Sequence, residues 1–135
     1  MSLDHIQLFF DEYTAAFDSA ESKRIAACYH VPCMTLRMDG TFHVFRSRRE
    51  ISEFFAGVAR AYRAEGMETY RLATYEPRIL GTLAAAVTVQ WEGLRAKDRT
   101  VVRNWWQTYN LRCADSRWLI VLNTNHVHAL DTRTA

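Results

Sequence analysis

Tyr13 is the first residue whose type and setting could do chemistry. It stands in LDHIQLFFDEYTAAF, where Ile6, Phe9, Phe10, Tyr13 and Phe17 recur at helical spacing, and it alone among them has a polar tip. A buried tyrosine hydroxyl needs a partner. It either bonds a neighbouring carbonyl or points at a ligand. The second concentration of polar groups among rings is VVRNWWQTYNL, residues 101–111, which reads as a central β-strand. Alternation places Val101, Arg103, Trp105, Gln107, Tyr109 and Leu111 on one face. Val102, Asn104, Trp106, Thr108 and Asn110 fall on the other. Large aromatics on both faces suit a strand that packs a core on one side and lines a cavity or a partner on the other.

Other residues offer narrower chemistry. Arg37 and Arg103 lie on strand-like segments, inward or near a mouth, and a guanidinium fork suits a substrate carboxylate. The alternative is an ion pair with Glu92 or Asp39, or snorkelling to the rim. His126 and His128 form an H-x-H that could share a metal, but no neighbouring acid or cysteine supplies a third ligand. His30 and His43 have the ordinary pKa of a general base and no carboxylate partner in sequence. Arg46-Ser47-Arg48-Arg49 is a basic run without interleaved stacking aromatics, so a solvated helix start is expected there rather than a nucleic-acid surface. The chain has no glycine-rich phosphate loop, no G-x-S-x-G and no C-x-x-C.

The elements that must position these groups follow from pattern. A helix is expected over 3–17, broken at Asp18 and Ser19, and a second, short one from Ala20 to Tyr29, ended by Pro32. Asp39-Gly40 is a hairpin signal joining strands at 33–38 and 41–46. Ser47 with Glu50 makes a capping box for the main helix. Ile51, Phe54, Phe55, Val58 and Tyr62 give that helix one apolar stripe, and Gly66 is placed to end it. Four strand-like segments follow: Met67–Leu80, Ala84–Leu94, Val101–Arg112 and Trp118–Asn125, with turns at Gly81-Thr82, Gly93–Asp98 and Ala114–Ser116. Pro77 removes a ladder donor and marks an edge or a bulge. The polar tail, Val127–Ala135, is expected to be loosely ordered. Helices segregated from strands argue α+β, with an antiparallel sheet curling around the long amphipathic helix into a cone with a mouth.

The totals bound the rest. At 135 residues the chain is one domain, 1–135, able to bury a real core. A formal net charge of +2 is too small to imply nucleic acid or an acidic membrane surface. No basic segment precedes an apolar one at the N-terminus, and no apolar run nears the ~20 residues that span a bilayer. Cys28, Cys33 and Cys113 are odd in number without framework spacing, so reduced thiols and a cytoplasmic setting are expected.

In its order of elements the chain resembles the nuclear transport factor two-like superfamily, which includes SnoaL-like polyketide cyclases and ketosteroid isomerases. The matching pieces are EYTAAFDSAESKRIAACY, SRREISEFF, VQWEGL, and WQTYNL followed by a short turn and RWLIV, so the resemblance runs from about Leu3 to His126. It implies that Tyr13 matches the first-helix tyrosine that donates to a developing oxyanion, and that Gln107 takes the place of the protonated acid. An amide can donate there without any shift in pKa. The position of the isomerase base is Arg37, which accepts no proton at working pH, so the steroid-isomerase route lacks its base. The resemblance further implies a mostly apolar pocket faced by Val87, Val89 and Trp91, by Trp105, Gln107 and Tyr109, and by Leu119, Val121, Asn123 and Asn125. Tyr29, Phe54 and Phe55 would close its helical side, with Arg37 and Arg103 near the mouth.

Three functions are compatible with this reading. One is a cofactor-independent isomerase, cyclase or dehydratase acting through Tyr13 and Gln107 on an apolar, oxygenated substrate. The second is a non-catalytic binder of a small hydrophobic ligand, and the third a dimeric protein-interaction module. A cavity filled by the protein's own aromatic side chains would count against the first two. No cofactor is implied. The outer sheet face, with Asn104, Trp106, Thr108 and Trp118, has the composition of an interface, and a homodimer through it is expected.

Overall fold

The computed structural model describes residues 3–127. Helix α1, Leu3–Ser19, buries Ile6, Phe10, Tyr13 and Ala16, the stripe that its spacing dictates. Its end is tied to the sheet by Asp18, whose carboxylate accepts from Tyr70 N at 2.9 Å and Thr69 Oγ1 at 3.0 Å. Helix α2 is shorter than expected, Ser22–Ala26, and Tyr29 already opens a strand, β1, Tyr29–Leu36. Pro32 therefore does not end a helix. It lies within β1, where the register against the neighbouring strand shifts between Tyr29 and Met34. A proline in a strand is tolerated where the ladder is already interrupted.

Strand β2, Phe42–Phe45, pairs antiparallel with β1. Their loop is longer than two residues: Arg37 N bonds Thr41 O at 2.9 Å, and Gly40 holds φ of +87° between them. Helix α3, Arg48–Ala64, is capped at Ser47, whose Oγ accepts from Glu50 N at 3.2 Å. Glu50 returns the bond to Arg46 N rather than to Ser47 N. Gly66, at φ +99°, closes the other end, with Met67 N on Tyr62 O at 3.0 Å. Arg48 staples three elements together. Its Nη1 donates to the carbonyls of Ala26 at 2.5 Å and Tyr29 at 2.7 Å.

Strands β3 (Thr69–Ile79), β4 (Ala84–Leu94), β5 (Val101–Ala114) and β6 (Arg117–Asn125) form an antiparallel meander. The sheet runs β2-β1-β6-β5-β4-β3, with β1 and β6 parallel. Pro77 sits on β3, the edge strand, as a missing donor requires. This is a curved, unclosed α+β sheet of the cone-like kind. The deeper seat on its concave side belongs to α1, since α3 buries only Ile51 and Phe55 fully. Gly93 permits one close contact: a Cβ there would fall inside the Met67 side chain. No helix among the described residues is long and apolar enough to cross a membrane.

Candidate functional site

Tyr13 and Phe17 come off α1 over the middle of the concave face, where Trp91, Trp105 and Tyr109 rise from β4 and β5. A narrow hollow lies among them. About 320 Å³ between these side chains is not filled by atoms, but only about 20 Å³ of it admits the centre of a water-sized sphere. It is a slot between rings rather than a chamber, and aromatic side chains fill most of what the sheet encloses.

The polar groups at its floor form a linked set. Trp105 Nε1 donates to Gln107 Oε1 at 2.8 Å, and Tyr109 Oη donates to the same oxygen at 3.0 Å. Trp91 Nε1 donates to Tyr109 Oη at 2.8 Å. An indole N–H can only donate, so Gln107 must present its oxygen to Trp105 and its amide nitrogen to the other side. There Nε2 donates to Asn123 Oδ1, and Asn123 Nδ2 in turn donates to Tyr29 Oη at 2.9 Å. Tyr29 and Tyr13 share a hydrogen bond of 2.6 Å between their hydroxyls. The amide orientations are thus set by chemistry, not by choice.

Each polar atom of this set has at least one partner. These bonds leave over one N–H of Gln107 and one of Asn123, while the Tyr13 hydroxyl also bonds that of Tyr109. Burial pushes the Tyr13 hydroxyl well above its ordinary pKa, reinforced by Tyr29 and Tyr109 nearby. Burial does the same to Tyr29 and to Tyr109. All three therefore hold their protons at neutral pH. Among the described residues lining the slot there is no Asp, Glu or His, and the one fixed charge is the guanidinium of Arg37. The site can donate hydrogen bonds to an acceptor oxygen. It offers no group that would accept a proton.

The expected residues divide accordingly. Tyr13, Arg37, Phe55, Trp91, Trp105, Gln107, Tyr109 and Asn123 line the slot together. Tyr29 lies behind Tyr13, bonded to it but not in the lining. Val87 and Val89 are fully buried core beneath the slot. Phe54 packs on Phe45 and His43, with Arg37 Cζ 5.3 Å above its ring. Asn125 Nδ2 donates to Leu36 O at 3.3 Å, joining β6 to β1. Arg103 sits at the rim, 4.8 Å from the Trp105 ring and 5.4 Å from that of Tyr62, and bridges to Glu65 at 3.2 Å. Its expected partners were Glu92 or Asp39. Glu92 pairs instead with Arg71 at 2.7 Å.

Leu119 and Val121 do not face the slot. The β5–β6 register shifts between Asn110 and Leu111, which reverses the sense of alternation along β6. Trp118 and Ile120 consequently point into the core, and Leu119 shares its face with Arg112. Trp118 therefore drops out of the expected outer interface. Phe17, Val58, Tyr62 and Tyr70 complete the lining. Phe17, Val58 and Tyr62 were legible as helix stripes, but their meeting with Tyr70 depends on where α3 crosses the sheet.

The histidines do other work. His30 contacts Pro32 O at 2.9 Å and Arg112 Nη1 at 2.8 Å, away from the slot. His43 stacks near Phe45 and Phe54. His126 bonds Thr108 on the convex face at 2.8 Å, and the expected partner in H-x-H, His128, lies outside the described residues, as does the tail from 128 onward. No cluster of three potential metal ligands occurs among the described residues.

A curved sheet closed by α1 and α3 over a buried, donor-rich aromatic slot defines the NTF2-like class of α+β domain. The chain belongs to the NTF2-like protein family DUF6841, whose model matches residues 4–128. Its fold is similar to that of an NTF2-like protein of unknown function from Shewanella oneidensis, 21% identical over 93% of this chain and 98% of that one, with a TM-score of 0.71. A cystatin-like-fold protein of unknown function from Nostoc punctiforme superposes with a TM-score of 0.75 at 11% identity, covering 93% and 90% of the two chains. A candidate dehydratase of the NTF2-like family from Streptomyces avermitilis matches at 12% identity over 91% and 93%, with a TM-score of 0.70. No curated protein matches the chain.

Proposed function

We propose that the protein is a non-catalytic, SnoaL-like pocket protein that takes a small, flat, apolar ligand bearing an acceptor oxygen. The observation that carries this reading is the set of N–H and O–H donors at the floor of an otherwise apolar slot. A ligand carbonyl or phenolate oxygen would accept from the second N–H of Gln107 or Asn123, which these bonds leave over. The aromatic walls suit a planar ring, and Arg37 favours a partly negative oxygen. Proton abstraction finds no support in the lining, so the isomerase and cyclase readings rank below binding. The protein's own rings fill most of the cone, which counts against a bound small molecule, so the reading requires a ligand that displaces the wall, with Tyr62, held at the rim by Arg103, as the movable ring. Three free cysteines fit a reducing, cytoplasmic compartment.

Thermal-shift measurements on wild type and Tyr13→Phe test this, with phenols, enones, fused-ring polyketide mimics and small carboxylic acids as probes. A ligand at 100 times its dissociation constant adds about 2.7 kcal/mol to folding. Stabilisation of wild type that is lost in Tyr13→Phe supports the reading. Stabilisation by none of the probes counts against it.

One observation favours a second reading, a dimeric interaction module. The convex face of β4, β5 and β6 carries half-buried Gln90, Trp106 and Thr108 beside exposed Asn104, and the two long helices, α1 and α3, lie on the other side. A homodimer through that face is proposed with it, and Trp106→Glu would then yield a monomer by sedimentation.

A further inference from the structure

Arg37 differs from the other arginines around the cone in having nothing to hold. Arg103 bridges to Glu65 at 3.2 Å, Arg71 pairs with Glu92 at 2.7 Å, and Arg48 donates to two carbonyls. Among the described residues no carboxylate lies within ion-pair distance of the Arg37 guanidinium, and its contact is with the face of Phe54. Asp39, the acid nearest to it in sequence, is exposed and spends Oδ1 on Thr41, at 2.9 Å from N and 2.7 Å from Oγ1.

This half-buried cation belongs to the slot. Thr35, two residues back along the chain, is buried on the concave side of β1 opposite Asn123, and alternation gives Arg37 the same side. Burial raises the Tyr29 hydroxyl, while its bonds to Tyr13 and Asn123 and the positive charge of Arg37 pull the other way. The guanidinium therefore acts on the floor of the slot and not only on solvent.

A molecule entering the slot strips water from Arg37. A cation deprived of water without a partner is costly, so a neutral ligand works against Arg37 and an anionic one works with it. A phenol is a poor source of that charge: it is neutral in water at pH 7, and burial of the kind that raises Tyr13 and Tyr109 opposes its ionisation. A carboxylic acid, with an ordinary pKa of about 4, arrives ionised and presents two oxygens to the planar fork. No second cation lines the slot, so a single negative charge is matched and a dianion is not.

Building on the reading of the slot as a small-molecule site, we infer that its ligand is a planar aromatic monocarboxylate, the acid group paired with the Arg37 guanidinium and the ring entering between the aromatic walls.

Trp91 and Trp105 both line the slot and report on it through their indole ¹H–¹⁵N signals, assigned by side-chain correlation. 2-Naphthoate and 2-acetylnaphthalene, a ketone of similar shape without the charge, are titrated into the ¹⁵N-labelled full chain. The expected result is a saturable shift of both signals, with the acid bound about tenfold more tightly than the ketone. Arg37→Gln should remove that advantage and leave the ketone unchanged, and Arg37→Lys, which keeps the charge without the fork, should fall between. Equal or weaker binding of the acid in wild type, or an advantage that survives in Arg37→Gln, would overturn the inference and leave the slot reading standing. Signals of Trp91 and Trp105 that neither compound moves would overturn both. The comparison of acid with ketone in wild type decides the matter even where a variant does not fold.

Discussion

The two faces of β5 are made of similar residue types and live under different rules. Inward, Trp105, Gln107 and Tyr109 are buried at 6%, 4% and 1% exposure and locked by bonds to one another and to β4 and β6. Outward, Trp106 and Thr108 are half-buried, and the contacts are single links: Thr88 to Thr108 at 2.9 Å, Thr108 to His126 at 2.8 Å. Composition alone would rank the faces alike. Burial separates them, because a polar group withdrawn from water must be bonded or bear the full cost of desolvation, whereas a half-exposed one can exchange its partner for water.

The strongest way to break this comparison is Gln107→Leu. It leaves Trp105 Nε1, Tyr109 Oη and Asn123 Oδ1 without their partner at once, and a loss of about 3–4 kcal/mol is expected by urea denaturation. A cost near that of a surface substitution would mean that the interior repacks and that the amide is not its organiser. Tyr109→Phe should cost less, about 1–2 kcal/mol, since it strands Trp91 Nε1 and removes one of two donors to Gln107.

The faces should also separate by pH. Burial holds the Cys33 thiol at about 11 against an ordinary 9.0, and raises the tyrosines of the slot as well. A group whose folded pKa is raised gives stability that is full below its unfolded value and lost as pH rises through the folded one. Melting temperature should therefore fall between pH 9.0 and about 11, and further as the tyrosines ionise. His126 works in the other direction. Partial burial lowers its pKa below 6.5, so the unfolded chain takes up the proton first and stability falls as pH drops below that value. In His126→Gln the acid limb should flatten while the alkaline limb stays. The smallest effect belongs to Thr108→Val, about 0.5 kcal/mol, because its hydroxyl bonds lie in a half-exposed ladder.

Much of the fold was legible in local pattern. The helix stripes of α1 and α3, the Ser47 cap, the Gly66 stop and the alternation of β5 are consequences of periodicity and capping that need no distant partner. The site was legible in part for the same reason: Tyr13 on its stripe and Trp105, Gln107 and Tyr109 on one strand face could only point together. Two errors trace to one cause. Neither the shift at β1 that absorbs Pro32 nor the shift at β6 that turns Trp118 inward leaves a local signature, because a bulge is decided by what the neighbouring strand offers.

By itself the sequence determined which side chains share a helix stripe or a strand face, since backbone geometry fixes that within a few residues. Only the tertiary structure decided which stripes meet, that the rings nearly fill the cone, and that the Gln107 amide turns its oxygen toward Trp105. Those outcomes depend on how α1 and α3 cross the sheet and on counting donors against acceptors in a closed space, and neither quantity exists until the chain has folded around it.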